Sequence, residues 1–416
     1  MFALVDGNNF YASCEQVFQP ELRGKPLVVL SNNDGCAIAR SAEAKALGIK
    51  MGHPWHELSD FVRRHGLLAR SANFTLYGDI SARVVSILRE TAPRVEVYSI
   101  DESFLDLSGI RDRVGLAKAL RARVRRCTGI PNCIGIGPTK TLAKLANKVA
   151  KKGAGVVDLS DPRERAAALQ VFPVGDVWGV GRRWEAKLAS LGITTAAQLM
   201  DAPPDMILER FGVVLSRTQR ELAGQPCHAL EEVEPDRQQI MVSRSFGERV
   251  EEHAAVAQAL ATFATRACEK LRKRGLSTSA VTVFASTDVF RPELRQHHPS
   301  RSLTLPSATQ DTRVVLAAVQ SLLRGMLRKG CAYKRAGVVL MDLARPEELQ
   351  ADLFRPAMIG NAELMATIDR INRRFGSGKI APAATAQPVR PQWAMRQLRL
   401  SPCFTTRLSD LPRARC

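Results

Sequence analysis

"VEVYSIDESFLDLSG", residues 95–109, sets two neighbouring acids, Asp101 and Glu102, inside an otherwise apolar, strand-like run, with Asp106 four residues further on. A strand that buries a face has no room for adjacent carboxylates unless it also has a wet face or the acids hold something positive. Buried without a cation, the pair would suffer desolvation and mutual repulsion, enough to protonate one of them. Mg²⁺ resolves that conflict, because it takes oxygen ligands, keeps several waters and binds through a few carboxylates plus substrate phosphates. Successive strand residues face opposite ways, so both acids serve one site only near a strand end or a hairpin bend. A third acid must come from elsewhere in the chain. Asp6 is the best candidate, since it ends the apolar strand "FALVD" (2–6) directly before Gly7, where a backbone carbonyl could also be exposed. A solvated hairpin is the competing reading, and Asp106 suits that one better, as a loop or capping residue.

Strands and helices alternate on both sides of this stretch. "GNNFYASCEQVF" ends the first strand and begins a helix; "PLVVLS" (26–31) is a second strand, closed by the turn "NNDG". "AIARSAEAKALGIKMG" reads as a helix stopped at Gly48, and "YGDISARVVSILRETAP" as an amphipathic helix stopped at Pro93. After the opening stretch come a helix, "VGLAKALRARVRRCTG", a strand, "NCIGIG", and another helix, "TKTLAKLANKVAKKG". Short turns between some strands predict an α+β sheet layer with helices packed on one face. Residues 167–232 read as all-helical, with Gly179-Val180-Gly181 between two helical segments. From residue 240 the pattern is mixed again: strands at "MVSRSFGERV" and "AVTVFAST", a long helix at "AAVAQALATFATRACEKLRKRG" and a closing strand at "AGVVLMDL" (336–343). After Pro346 the periodicity decays, and "GSGKIAPAATAQPVRPQ" reads as low-complexity linker.

The length, 416 residues, suggests two to four domains, and 45% hydrophobic residues suffice for their cores. No apolar run reaches the ~18 residues of a membrane span, and "MFALVDGNNFYASCE" lacks the basic start of a signal peptide, so a cytoplasmic protein is expected. Nine scattered cysteines without a C-x-x-C pair predict reduced thiols rather than disulfides or zinc. Sixty Lys and Arg against 41 Asp and Glu give a net charge of +19, and residues 236–345 alone hold 18 basic against nine acidic residues. A polyanion is the natural partner, nucleic acid ahead of membrane because no basic amphipathic anchor is visible. Lys140, Lys144 and Lys148 form one helical stripe (i, i+4, i+8), either a solvated face or a cradle for phosphates, with Arg40 and Lys45 adding positive charge.

Seven segments together carry a resemblance: "FALVDGNNFYASCE", "LVVLSNNDGCAIARSAEAKALGIKMG", "VYSIDESFLDLSG", "IGIGPTKTLAKLANK", "DVWGVGRR", "SRSFGER" and "QWAMRQLRLSPCFTTRLSDL". In this order they resemble the Y-family DNA polymerases, in their UmuC branch, over essentially the whole chain. The resemblance implies a right-hand α+β multidomain architecture: palm (1–20 and 78–166), fingers (21–77), helical thumb with a helix-hairpin-helix (167–235), α/β little finger (236–345) and a C-terminal tail (346–416). It implies that Asp6, Asp101 and Glu102, with the Gly7 carbonyl, hold two Mg²⁺ ions, one activating the primer 3′-hydroxyl and one binding the triphosphate and leaving pyrophosphate. Tyr11 falls on the steric-gate position, where a bulky ring excludes a 2′-hydroxyl; from the residues alone it could equally be a core aromatic. Lys144 matches the triphosphate-binding lysine, and Arg40 and Lys45 join the nucleotide site. Lys45 stands where many relatives carry arginine, Ala42 where many carry tyrosine, and Ser103 where alanine is usual.

Gly179 and Gly181 would present backbone N–H groups to a DNA phosphate, and Ser243, Arg244 and Ser245 are candidate phosphate contacts in the little finger. "QADLF" (350–354), with Gln350, Leu353 and Phe354, resembles a sliding-clamp-binding peptide. The segment from Gln392 suggests a dimer of a processed UmuD-like subunit as partner, and the family implies RecA filaments. The expected function is error-prone translesion synthesis on primer–template DNA with deoxynucleoside triphosphates in the SOS response, without proofreading. A partner-dependent or catalytically silent DNA-binding scaffold is the alternative of another class, and a Mg²⁺-dependent nuclease the alternative enzyme.

Overall fold

The computed structural model describes residues 1–232, 236–350, 358–386 and 391–411. They form two compact units: one of residues 1–31, 35–234 and 399–416, the other of residues 32–34 and 235–398.

In the first unit, β1 (Phe2–Gly7) leads into α1 (Phe10–Phe18); β2 (Leu27–Leu30), β3 (Ala37–Arg40), α2 (Ala42–Ala46), α3 (Ser59–His65) and β4 (Leu68–Ser71) follow. Next come α4 (Phe74–Thr91), β5 (Val95–Val97), β6 (Glu102–Asp106), α5 (Arg113–Thr128), β7 (Asn132–Gly137), α6 (Lys140–Ala150) and β8 (Val156–Asp158). Two sheets result, one ordered β5-β6-β1-β7-β8 and a smaller one ordered β3-β2-β4. The segment expected as one helix from Ala37 to Gly48 is instead a strand and a five-residue helix, because Ser41 in extended conformation caps α2 and breaks the chain between them. Helices α7 to α11, Pro162–Val171, Arg182–Ala189, Ala196–Asp201, Pro204–Phe211 and Val213–Leu222, complete the unit, as the all-helical reading predicts.

The larger sheet is covered on both faces, not on one. Ala3, Val5, Leu105, Ile134 and Ile136 pack against Leu88 of α4 and Leu120 and Val124 of α5. Leu4 and Phe104, one residue out of phase, pack on Ala143 of α6. Helix α6 can lie this close because β7 carries Gly135, where a Cβ would stand 2.0 Å from the Asn147 backbone nitrogen. Periodicity in α6 alone could not show that its apolar side meets the second face of the sheet.

In the second unit, β9 (Ile240–Val250), α12 (His253–Lys273), β10 (Ser277–Thr287), β11 (Ser300–Thr309), α13 (Thr312–Leu323), β12 (Tyr333–Ala344), β13 (Met358–Ile359) and α14 (Ala362–Phe375) follow in order. Their sheet runs β13-β11-β10-β12-β9, and its inner face buries Val281, Val283, Val338 and Leu340 against Phe263 of α12 and Val319 of α13. The decay of pattern after Pro346 proves misleading. Strand β13 pairs parallel with β11, and α14 is capped by Asn361, whose side chain accepts from the Leu364 N–H. Arg272 of α12 holds Asp369 of α14 through two bonds of 2.7 and 2.8 Å, an attachment that hydropathy does not register.

Candidate functional site

Strand alternation fixes two of the three acids. Leu4 and Asp6 on β1, and Phe104 and Glu102 on β6, share the face toward α6, and the antiparallel register sets Asp6 opposite Glu102. Asp101 belongs to the bend before β6, where the N–H groups of Tyr98 and Ser99 donate to the Glu102 carbonyl at 3.1 and 3.0 Å. The Asp101 carbonyl in turn accepts from the Gly7 N–H at 2.9 Å. The bend frees Asp101 from alternation, so Asp6, Gly7, Asp101 and Glu102 line one cavity of about 330 Å³. That is the hairpin bend the adjacent carboxylates required.

Each lysine of the α6 stripe meets an acid. Lys140 pairs with Glu96, both buried; Lys144 donates to both Glu102 oxygens at 2.9 Å; and Lys148 pairs with Asp176. The stripe continues one turn further than the sequence reading takes it, and Lys151 donates to Asp6 Oδ2 at 2.5 Å. Burial pushes the Asp6 carboxyl up to about 6; Lys151 opposes that rise, and the nearby Glu102 and Asp101 add to it.

Among the described residues, no three acidic, histidine or cysteine side chains stand arranged to hold a metal ion. Their partners give the reason: Asp101 accepts from the Ser99 hydroxyl at 2.7 Å, Glu102 turns to Lys144 and Asp6 to Lys151. The donor set nevertheless fits Mg²⁺, because three carboxylates border one cavity and ammonium groups stand where the site demands positive charge.

Tyr11, Arg40, Lys45 and Lys151 line the same cavity. Tyr11 stacks on Tyr77 with centroids 4.6 Å apart and meets the edge of Phe74 at 5.8 Å. Lys45 donates to Asn9 Oδ1 at 2.5 Å, and its pKa is lowered by burial and by repulsion from Arg40 and Lys151. Arg40 gives one guanidinium donor to the Ile49 carbonyl at 2.8 Å. Mutual repulsion in a cluster of three cations is relieved by a polyanion, which suits a triphosphate.

Lys144 lies elsewhere. It lines a neighbouring cavity of about 300 Å³ and sits among Tyr98, Trp178 and Phe104, its ammonium 4.4, 5.5 and 5.9 Å from their ring centroids. Lys151, which the sequence reading missed, lines both cavities. Its signal was available: 151 follows 148 by three residues and so stays on the face of 140, 144 and 148. Of the departures from the family pattern, Ala42 opens α2, and Ser103 sits opposite Val5, on the sheet face away from Asp6 and Glu102, where it shares a cavity with Asp101.

The remaining candidates divide. Gly179, at φ +91°, and Gly181, which precedes α8, form the turn that the Gly-x-Gly spacing suggests. On β9, Ser243 and Ser245 alternate with buried Val242 and Phe246 and so share the outer sheet face, whereas Arg244 is half-buried on the helix side beside Arg266. Arg335 on β12, opposite Ser245, donates to the Ser243 hydroxyl at 3.1 Å and supplies the outer face with a cation that the sequence reading missed. Gln350 is exposed, while Leu353 and Phe354 lie outside the described residues. In the terminal segment, Trp393 and Phe404 are buried within the chain itself. Among the described residues no helix is long and apolar enough to cross a membrane.

Residues 5–148 match the impB/mucB/samB family, 237–353 the C-terminal domain of the same family, and 362–414 a domain of unknown function. The chain is 46% identical to the protein UmuC of Salmonella typhimurium and 43% identical to MucB of Escherichia coli, over 100% and 99% of each partner. It is 33% identical to DNA polymerase IV of Moorella thermoacetica, covering 92% of this chain and 95% of that one. In fold it is similar to a Y-family DNA polymerase chimera of Dbh and Dpo4, with a TM-score of 0.69 at 22% identity, over 83% of this chain and 100% of the other. The acid-bearing hairpin thus has its family: the chain belongs to the impB/mucB/samB proteins.

Proposed function

We propose that the cavity lined by Asp6, Asp101 and Glu102 together with Tyr11, Arg40, Lys45 and Lys151 is the nucleotidyl-transfer site of an error-prone translesion DNA polymerase. The observation that carries this reading is that one cavity of about 330 Å³ is lined both by the three carboxylates and by Arg40, Lys45 and Lys151. A primer 3′-hydroxyl, a triphosphate and divalent ions need both signs of charge.

The carboxylates of Asp6, Asp101 and Glu102, with the Gly7 carbonyl, would hold two Mg²⁺ ions. When bound, the ions neutralise the developing phosphate charge and lower the pKa of the primer hydroxyl. Lys151, Lys45 and Arg40 bind the triphosphate oxygens, and their fixed positions supply the electrostatic preorganisation that stabilises the transferring group. Tyr11, held flat against Tyr77, stands under the sugar and excludes a 2′-hydroxyl. Lys144 acts on Glu102 rather than on the nucleotide, because its ammonium sits among the Tyr98, Trp178 and Phe104 rings in the neighbouring cavity and does not line this one.

Around this site the chain would be divided into palm (1–20 and 78–166), fingers (21–77), thumb (167–235) and little finger (236–345). Gly179 and Gly181, together with Ser243, Ser245 and Arg335, would track the DNA backbone without reading sequence. A UmuD-like dimer, a RecA filament and a sliding clamp that engages 350–354 are the partners of this reading, in the bacterial cytoplasm during the SOS response.

Asp101→Ala tests it. Primer extension on damaged and undamaged templates, with the assembly that supports extension by the unchanged chain, should fall by at least about a thousandfold while DNA affinity stays within about twofold. Loss of DNA binding in step with extension would favour the scaffold. Shortening of a labelled primer in Mg²⁺ without nucleotides would favour the nuclease.

A further inference from the structure

The C-terminal segment does not end in solvent. In the first unit the Arg399 N–H donates to the Ser71 hydroxyl, the Ser71 N–H donates to the Arg399 carbonyl, both at 3.0 Å, and Leu400 forms a parallel bridge to Ser71 at the end of β4. Asn73, which caps α4 by accepting from the Leu76 N–H, donates at 3.1 Å to both the carbonyl and the hydroxyl oxygen of Ser401, and at 3.2 Å to the Pro402 carbonyl. The Ser401 hydroxyl then donates to Glu15 Oε1 at 3.0 Å. Phe404 stacks on Phe18 with centroids 5.1 Å apart and joins the same apolar cluster as Phe10 and Tyr77.

These contacts converge behind the ring that lines the nucleotide cavity. Glu15 is fully buried, and its Oε1 also accepts the Tyr77 hydroxyl at 2.6 Å. Tyr77 stacks on Tyr11, and Phe74, the first residue of the helix that Asn73 caps, meets the Tyr11 edge. Two routes therefore run from the C-terminal segment to Tyr11: Ser401–Glu15–Tyr77 through hydrogen bonds, and Ser401–Asn73–Phe74 through the helix cap. Burial holds the Glu15 carboxyl above its ordinary range, and the two hydroxyls oppose that rise. A buried carboxyl with so few donors depends on each of them.

We propose that Arg399–Phe404, which falls in the region that also matches a domain of unknown function, is a positioning element for Tyr11: it fixes the Tyr77 and Phe74 rings against which Tyr11 rests, and so sets how strictly the site rejects a ribose. The proposal rests on the reading of Tyr11 as the residue beneath the sugar. Ordering the segment holds the ring; loosening it lets the ring tilt and admits a 2′-hydroxyl, with no change in the acids that carry the chemistry.

The test is the ratio of deoxyribonucleotide to ribonucleotide incorporation efficiency, measured in the full chain with the assembly that supports primer extension. Ser401→Ala should lower the ratio by roughly fivefold and Phe404→Ala by roughly tenfold, as expected for one lost hydrogen bond to a carboxylate and one lost ring stack. The change should come through a lower KM for ribonucleotides, with kcat for deoxyribonucleotides retained. Ser401→Thr, which keeps the hydroxyl, should restore the ratio, and Leu408→Ala, at an exposed position beyond the segment, should leave it unchanged. Equal losses with both sugars, or an unchanged ratio in Ser401→Ala and Phe404→Ala, would overturn the proposal. Tyr11→Ala separates the two ideas: relaxed discrimination there with an unchanged ratio in the segment variants removes the segment alone, whereas unchanged discrimination in Tyr11→Ala removes the sugar gate and the segment with it.

Discussion

The proposed function draws on one sheet face in each unit, and the two faces are built on opposite principles. On the α6 face of the first sheet, charges are set in pairs: Lys140 with Glu96, Lys144 with Glu102, Lys151 with Asp6. The outer face of the second sheet carries hydroxyls, methionines and an arginine: Ser243 beside Met241, Ser245, Thr282 bonded to Ser302 at 2.7 Å and beside Met341, and Arg335 over the Phe284 ring. Even backbone is arranged to keep that face flat, since a Cβ on Gly337 would stand 2.5 Å from the Phe284 ring. Taking charges out of water is costly, so a face that does so holds each charge at one point and serves chemistry at that point. A face of neutral side chains around Arg335, with no buried ion pair among these residues, suits a ligand that must slide past in any sequence.

The largest test strikes the deepest pair. Lys140→Met keeps the volume but leaves the buried Glu96 with the Glu231 N–H, at 2.8 Å, as its recorded partner. Removing one member of a buried pair costs about 3–5 kcal/mol. A thermal melt should therefore drop by on the order of 10 °C for a unit of this size. A drop of only a degree or two would mean that the lysines of α6 are ordinary surface charges and that the contrast between the two faces is overstated.

The next test separates the two lysines nearest the acids. Lys151→Ala should reduce kcat/KM for the incoming nucleotide by about a hundredfold, mostly through KM, as expected for a lost charge-assisted contact to phosphate. Lys144→Ala, whose ammonium sits among three rings in the neighbouring cavity, should raise the nucleotide KM by less than about threefold. The reverse order of effects would return the triphosphate to Lys144 and make the aromatic surround a resting place for it.

Both lysines illustrate how far sequence reading reaches. The hairpin acids, Asp6 at a strand end and the strand–helix order around them were legible, because periods of two and 3.6 and turn residues are local signals. The i, i+4, i+8 lysine stripe was legible too, but not its targets. Which lysine serves phosphate depends on the register of β1 with β6 and on the closeness of α6 that Gly135 permits, and both are nonlocal. The same limit explains the tail. Helix α14 is held by Arg272, nearly a hundred residues away in sequence, and Ser401 and Phe404 find their partners at Glu15 and Phe18. Low hydropathy concealed attachment through a few polar bonds and one ring. Arg244 parts from its neighbours for a different reason: in "SRS" a strand must turn its middle residue to the other face, a consequence of period two that the motif obscures.

That last point yields the smallest effect and the most selective test. If the outer face of the second sheet tracks phosphates, Arg335→Ala should weaken DNA binding by about two- to threefold at moderate salt, uniformly across sequences. The slope of log affinity against log salt should also become shallower by about one. Arg244→Ala, at a half-buried guanidinium on the helix side that burial and then repulsion from Arg266 disfavour, should leave the slope unchanged, because such a guanidinium would neutralise no phosphate. Fluorescence anisotropy across a salt series measures both slopes. A reduction at Arg244 but not at Arg335 would place the DNA on the helix side of this sheet and reverse the assignment of its faces; a reduction at neither would confine phosphate contacts to residues other than this strand pair.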